Sequence, residues 1–380
     1  MAMKIGIEAQ RIFRRNKHGM DYVALEEARA LQQIDKHNSY YVFVKPGPDR
    51  CLHESPNMHI VEVACPSYPL WEQWALPRAA KKWGVDMLHC TSNTAPVGCR
   101  LPLVITLHDI IFLEPRPQKN KSLYQNLGRL YRRYVVPRVT GNARRIITVS
   151  EYERLNIKER LGIGEPVLTM IYNGYNQWFK PIADSWQTAR KYVAQEGYFF
   201  FLGNTDPKKN TERTLLAYSL YLKTSKMKRR LLVADLPKSD IVRLLRSLGV
   251  SEAAPYIEAP GYIPNSDLPY IYNSAFAYLY TSLRESFGIP LLEAMACGVP
   301  VITSRTSSMP EIGGDGALYV DPTDPDDIAA MMLRIETQPD MRRAIVEQGT
   351  KRAALFSWQR AARQLIGVYE SVAAEIGIRP

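Results

Sequence analysis

Two carboxylates, Glu285 and Glu293, bracket the middle of the stretch ESFGIPLLEAMACGVPV (285–301). Pro290 suits the first turn of a helix, because the N–H that proline lacks would be unpaired there anyway. Gly298, followed by Pro300, suits a helix end and a stop. The spacing predicts a helix over 290–297, with Glu285 in the loop before it and Glu293 just past its first turn. Backbone N–H groups at 288–291 would then point out of the helix start, where the dipole favours an anion. Gly288 lets a ligand approach the backbone closely. The order along the chain is acid, anion pocket, acid. A nucleotide sugar has the matching order of hexose hydroxyls, diphosphate and ribose hydroxyls. Either acid alone reads equally well as a carboxylate complementing a helix dipole, so the pattern as a whole carries the argument.

The elements that must position these groups read as alternating strands and helices. Short β-branched and aromatic runs (KIGIEA, YYVFVK, HIVEVA, DMLHC, LVITLHD, RIITVS and VLTMIYNG) form one series. A second series follows: GYFFFLGN, RLLVADL, YIEAPGY, AFAYLYTS, PVITS and ALYVDP. They lack strict alternation, as expected of strands buried on both faces of a parallel sheet covered by helices. A polar, Pro-containing connection and one helix separate the series. The expected organisation is therefore α/β, with two doubly wound domains and a boundary near 174–195. In such sheets ligands bind beyond the carboxyl ends of the strands. His108 and Asp109 follow LVITL, Gly203 and Asn204 follow YFFFL, and Glu285 follows AYLYTSLR.

Composition agrees with a two-domain globular protein. The chain has 380 residues, 46% apolar and 23% charged, too long for one ordinary core. No apolar run is long enough to cross a bilayer, and the N-terminus lacks the pattern of a secretory signal, so the expected location is the cytoplasm. Five cysteines without a C-x-x-C pair argue against a disulfide framework or a zinc site. The net charge of +11 clusters at 11–18, 128–138, 143–145 and 223–230. Anionic headgroups or phosphorylated substrates answer it. No zinc finger, helix-turn-helix or RNP pattern supports nucleic acid. The absence of G-x-G-x-x-G after the first strand disfavours a dinucleotide dehydrogenase. Asp324 and Asp326 have the letters of a metal-binding D-x-D, but DPTDPDDIAAMM reads as a helix N-cap with acids in the first turn.

The E-x7-E stretch with its internal Phe-Gly resembles the donor-site motif of retaining GT-B glycosyltransferases of family 4. LGNTDPKKNTERTLLAY (202–218) is similar to that family's phosphate-binding strand-loop-helix. GYIPNSDLPYIYNSA (261–275) is similar to its base-binding segment, and SRTSSMPEIGGDGALYVDPTD (304–324) to the segment after the donor site. IYNGYNQWFKP (171–181) and FSWQRAARQLIGVYESV (356–372) match its linker and terminal helices.

The resemblance implies a GT-B fold, two Rossmann-like domains facing a cleft. It places an acceptor-binding domain at 1–175, a donor-binding domain at 176–360, and a helix at 361–380 returning to the first. It implies that Glu285 contacts hydroxyls of the transferred sugar, that Phe287 and Gly288 offer backbone N–H groups to the sugar and phosphates, with Ile289 also in the donor site, and that Glu293 holds the ribose. Lys209, with Lys208, would bind the leaving diphosphate at a helix start. Asn204 stands where many relatives have an arginine, so these lysines must supply the phosphate-binding charge. Ile263 would meet the base through its backbone, and His108 a sugar hydroxyl near the reacting carbon. Gly19 would belong to a loop closing over the phosphates, although KHGMDYV (17–23) has a single glycine where relatives have more.

The implied reaction is transfer of a hexose, with retention, from a GDP- or UDP-linked donor to a glycan or lipid-linked acceptor. The family uses no cofactor and needs no metal at the D-x-D position. Mannose is the first expectation, because the SSMPEIGGDGALYVDP segment resembles mannosyltransferase members. The basic first domain suits an acceptor at the anionic inner face of a membrane and a role in cell-surface polysaccharide assembly. A GT-B nucleotide-sugar epimerase and a non-catalytic protein binding nucleotide sugars or anionic surfaces are the alternatives.

Overall fold

The computed structural model describes residues 2–114 and 123–378. The chain divides into two compact units. One comprises Met1–Gly174 with Trp358–Pro380, the other Tyr175–Ser357.

The first unit is built on a seven-stranded parallel sheet ordered β3-β2-β1-β4-β5-β6-β7. Its strands are β1 (Lys4–Glu8), β2 (Ser39–Val44), β3 (Met58–Glu62), β4 (Met87–Cys90), β5 (Leu103–Thr106), β6 (Arg145–Thr148) and β7 (Leu168–Met170). Strands β4 and β5 are buried at every position, which is why their sequences run apolar without alternation. Strand order reverses between β1 and β4, so the ligand crevice of this sheet lies beyond the carboxyl ends of those strands. Helix Trp358–Glu375 packs on this unit against helix Gly19–Ile34. Tyr369 fixes it from the buried side, its hydroxyl 2.8 Å from His89 Nδ1. Burial drives the His89 pKa down to about 3, so this ring is a neutral structural link.

The second unit carries a six-stranded parallel sheet ordered β10-β9-β8-β11-β12-β13. Its strands are β8 (Tyr198–Leu202), β9 (Leu231–Ala234), β10 (Ile257–Gly261), β11 (Ala275–Tyr280), β12 (Val301–Ser304) and β13 (Leu318–Val320). The switch in order falls between β8 and β11. The segments leaving those two strands carry Asn204–Lys209 and Glu285. On one face of the sheet, Phe199, Leu215, Tyr218, Leu231, Ile302 and Met332 share one buried core.

The two expected strand series correspond to the two sheets. The helix expected at 290–297 runs Ile289–Ala296, one residue earlier, with Cys297 as C-cap and Gly298 left-handed at φ +72°. Asp324 caps helix Pro325–Thr337, its Oδ1 accepting the Asp326 N–H at 2.9 Å.

Candidate functional site

In the second unit the two ligand-facing loops meet at one ion pair. Lys209 Nζ donates to Glu285 Oε1 at 2.7 Å, and both side chains stay partly open to solvent at 25% and 13% exposure. The ammonium also sits 5.6 Å from the centre of the Tyr280 ring. The loops are joined at the backbone too, where the Leu283 N–H donates to the Lys208 carbonyl at 2.7 Å. Lys209 was expected at a helix start. It instead ends a single 3-10 turn, Pro207–Lys209, two residues before helix Thr211–Thr224. Its own N–H is taken by the Asp206 carbonyl, so Lys209 contributes its side-chain charge alone.

Asn210 explains that geometry. It adopts φ +61°, a conformation asparagine tolerates better than most residues. Its buried amide bridges the Thr281 carbonyl at 3.0 Å and the Pro322 carbonyl at 2.6 Å. Asn204 turns its amide oxygen onto the Asp206 N–H at 2.9 Å, shaping the loop without adding charge. A Cβ at Gly203 would meet Val233 at 2.8 Å and Leu236 at 2.9 Å, so a larger residue there would have to push these side chains aside.

The anion pocket is narrower than the sequence suggests. Of the groups at 288–291, Pro290 has no N–H and the Leu291 N–H bonds to the Gly288 carbonyl at 3.1 Å. The N–H groups of Gly288 and Ile289 have no hydrogen-bond partner among the described residues. Gly288 has φ +103°, and a Cβ there would stand 3.3 Å from Tyr280. The positive φ favours glycine, and the Tyr280 ring would have to yield slightly to a side chain. Phe287 turns inward, edge to face with Phe356 at 6.0 Å between ring centres.

A row of hydroxyls sets the backbone path of the Glu285 loop. Thr303 donates to the Tyr280 carbonyl at 2.9 Å, Ser304 to Ser282 at 2.6 Å and Thr306 to Leu283 at 3.2 Å. Ser308 donates to the carbonyls of Glu285 at 3.0 Å and Phe287 at 3.1 Å. Ser307 runs the other way, its hydroxyl oxygen accepting the Glu285 N–H at 3.0 Å. The segment 304–324 had drawn notice for its resemblance, but hydroxyl-to-carbonyl bonds have no periodicity from which to read such a role.

Glu293 projects from the first helical turns and keeps part of its surface open. Burial pushes its pKa up to about 8. Ile263 is buried just beyond β10, while the neighbouring Tyr262 is 69% exposed, presenting an aromatic face beside the candidate base segment.

In the first unit His108 follows β5 and is buried. Its Nε2 lies 2.8 Å from the Thr91 carbonyl. A carbonyl only accepts, so Nε2 carries the proton and Nδ1 is left as an acceptor. Burial lowers the His108 pKa, and the Arg11 charge acts in the same direction. The His108 N–H is taken by Asn93 Oδ1 at 2.6 Å, with Asn93 itself left-handed at φ +68°. Gly19 opens helix Gly19–Ile34 instead of lying in the loop before it, and a Cβ there would meet nothing within 4 Å. The backbone at 19 therefore does not require glycine.

The basic clusters divide. Arg11 and Arg14 pair with Asp21, Arg145 with Glu375, Arg229 with Glu336 and Arg230 with Glu258. Arg132, Arg133 and Arg138 of helix Leu123–Thr140 have no carboxylate partner among the described residues. The outward face of that helix also presents Leu127, Leu130 and Tyr134, each at least 58% exposed. Its inner face is anchored by Tyr131, whose hydroxyl donates to buried Glu72. No helix among the described residues is long and apolar enough to cross a membrane, and no group of three or more His, Cys, Asp or Glu among them could hold a metal ion.

Comparison with known proteins agrees with this architecture. Residues 184–352 match the model of Glycosyl transferases group 1, and residues 18–177 that of Glycosyltransferase Family 4. The chain is 32% identical over 280 residues to O-antigen chain mannosyltransferase B of Escherichia coli, covering 70% of each. It is 27% identical over 286 residues to O-antigen chain mannosyltransferase RfbU of Salmonella typhimurium, covering 71% of each. Among solved structures it is similar to sucrose-phosphate synthase from Thermosynechococcus elongatus, with a TM-score of 0.74 at 21% identity over 98% of this chain and 100% of that one. WaaG, a glycosyltransferase involved in lipopolysaccharide biosynthesis, follows with a TM-score of 0.73 at 15% identity over 96% and 99% of the two chains. The parallel sheets and these likenesses together give the GT-B fold, and the chain belongs to the group 1 glycosyltransferases of family 4.

Proposed function

We propose that this glycosyltransferase moves a hexose, mannose first, from a nucleoside-diphosphate sugar to a hydroxyl of a glycan or lipid-linked acceptor, with retention of the anomeric configuration. The observation that carries the reading is the Lys209–Glu285 pair beside the open N–H groups of Gly288 and Ile289. Lys209 and the helix start are positive where negative charge develops on the departing diphosphate. Preorganised donors of this kind are the main catalytic device in such a reaction. Glu285 holds sugar hydroxyls, the Gly288 N–H meets the phosphates, and Glu293 holds the ribose hydroxyls. Lys208 adds charge at the phosphate end, and Asn204 shapes the loop that carries both lysines. Ile263 offers its backbone to the base. Neutral His108 offers Nδ1 as an acceptor to a hydroxyl of the transferred sugar. Neither glutamate is cast as a nucleophile. The leaving phosphate assists removal of the acceptor proton on the same face, and the positive groups named above serve in place of a metal.

Mannose is favoured because curated relatives carrying mannosyltransferase in their names match over 70% of this chain or more. GDP is the first base to test and UDP the second. O-antigen synthesis in those relatives supports a role in cell-surface polysaccharide assembly. A cytoplasmic enzyme would then dock at the inner membrane face, and the basic, apolar outer face of helix Leu123–Thr140 supports that. The direct test is thermal shift with GDP, UDP and their hexoses, followed by transfer to a lipid-diphosphate acceptor. A sugar nucleotide at about 100 times its Kd should add roughly 2.7 kcal/mol of stability. No shift with any of them would overturn the reading.

A further inference from the structure

Five of the six hydroxyl contacts that hold the Glu285 loop donate to carbonyls, and any of them could be an ordinary structural bond. The contact at Ser307 differs. Ser307 is the acceptor, and its own proton is directed to Met309 Sδ at 3.5 Å, which leaves a lone pair for the Glu285 N–H. Ser307 also has φ +51°. A residue with a Cβ is strained there and glycine is not. Of the other residues in this half of the chain that hold positive φ without being glycine, Asn210 and Asp235 are of types that tolerate it, whereas serine is not. At 307 the chain carries a hydroxyl against the preference of its own backbone. Strain retained in this way points from the outlier to a function.

We propose that Ser307 is a positioning residue for Glu285. By fixing the Glu285 N–H it sets the direction in which that residue's side chain leaves the backbone, and so keeps the carboxylate at the sugar end of the donor. Ser308, fully buried and bonded to the Glu285 and Phe287 carbonyls, fixes the same residue from its other side. Glu285 is thus clamped at both its N–H and its carbonyl, while its side chain stays free to exchange the Lys209 ammonium for sugar hydroxyls. The inference rests on the proposed role of Glu285 in holding the transferred hexose.

Ser307→Gly separates positioning from structure, because it removes the hydroxyl and the strain together. The donor is whichever of the GDP- and UDP-hexoses gives the largest thermal shift. The expected result is a melting temperature equal to or above that of the parent, unchanged affinity for the nucleoside diphosphate alone, and a kcat for donor turnover lower by roughly five- to tenfold, the loss of one ordinary hydrogen bond. The affinity that the hexose adds beyond the nucleoside diphosphate should fall in parallel, a readout that does not need turnover. Ser307→Ala keeps the strain and loses the bond, so it should show the same kinetic loss with a lower melting temperature. Glu285→Ala is measured alongside. Parent-like kcat and hexose affinity in Ser307→Gly, with Glu285→Ala impaired, would overturn the positioning role and leave the functional reading standing. Parent-like behaviour of Glu285→Ala would overturn the functional reading and the positioning role with it.

Discussion

Lys209 Nζ lies 2.7 Å from Glu285 Oε1, a contact that joins residues 76 apart in sequence. Each charge satisfies the other. Under the proposed function a donor parts them, drawing the ammonium to phosphate and the carboxylate to sugar hydroxyls. Lys209→Ala should weaken nucleoside diphosphate binding and lower kcat by about 10²–10³-fold, the usual range for losing one preorganised donor. Glu285→Ala should lower kcat while leaving nucleoside diphosphate affinity near that of the parent. The double variant should lose less than the two single losses combined, because each partner alone leaves an unpaired charge. Isothermal titration and donor hydrolysis of the four proteins check this, and strictly additive losses would count against it.

Glu293 gives a pH signature to donor binding. Its carboxyl holds a proton to about pH 8 because burial disfavours the charged form. Ribose hydroxyls donate most strongly to the ionised carboxylate. Affinity for an intact sugar nucleotide, whose phosphates do not titrate in this range, should therefore rise as pH climbs from 6 to about 8.5. Glu293→Gln should flatten the profile. A parent profile already flat would remove Glu293 from the ribose contact.

Glu27 supplies a stability prediction away from the donor loops. It lies on helix Gly19–Ile34 with 6% exposure, and its Oε2 has no hydrogen-bond partner among the described residues. Burial raises its pKa from 4.5 to about 8. Between those values the folded chain holds a proton that the unfolded chain has lost. Stability from this group is therefore present below about 4.5 and is lost as pH rises to about 8. Glu27→Gln should melt higher than the parent at pH 8, with the gap shrinking towards pH 5. Calorimetry across that range checks the sign.

The outer face of helix Leu123–Thr140 makes a membrane prediction. Leu127 and Leu130 supply apolar area, and Arg133 and Arg138 supply charge without carboxylate partners among the described residues. The parent should float with vesicles containing phosphatidylserine or phosphatidylglycerol and not with phosphatidylcholine alone. Binding should weaken with salt by roughly the 1 kcal/mol that each basic residue contributes near such a surface. Leu127→Glu with Leu130→Glu should abolish flotation and leave donor hydrolysis unchanged. Failure of the parent to float at low salt would remove this surface from the proposal.

The parts of this protein legible in its sequence are those written in local chemistry. Pro290, Gly298 and Pro300 mark the ends of one helix to within a residue, because proline and glycine restrict the backbone wherever they stand. Strands such as YFFFL and LVIT announce themselves by burial on both faces. Contacts between distant segments left no such mark. The hydroxyls of Thr303, Ser304, Thr306 and Ser308 look like ordinary loop composition until the carbonyls opposite them are known. The bridge made by Asn210 to Thr281 and Pro322 was equally hidden, as was the pairing of Lys209 with Glu285. Charge counting also misled in part. Ion pairs leave the net +11 unchanged but occupy cations of the expected clusters, as in Arg230 with Glu258 and Arg145 with Glu375, whereas Arg132, Arg133 and Arg138 of helix Leu123–Thr140 have no carboxylate partner among the described residues.

Helix Trp358–Glu375 has a consequence for the order in which the protein is made. The bond between His89 and Tyr369 spans 280 residues, so the unit whose synthesis begins first receives its last helix only after the chain has been made past Tyr369. The unit formed by Tyr175–Ser357 is continuous and has all its strands before that point. On the ribosome, the half that emerges first is the half that is completed last. An interruption before Trp358 would leave the Tyr175–Ser357 unit complete and the first unit with an exposed seam along helix Gly19–Ile34.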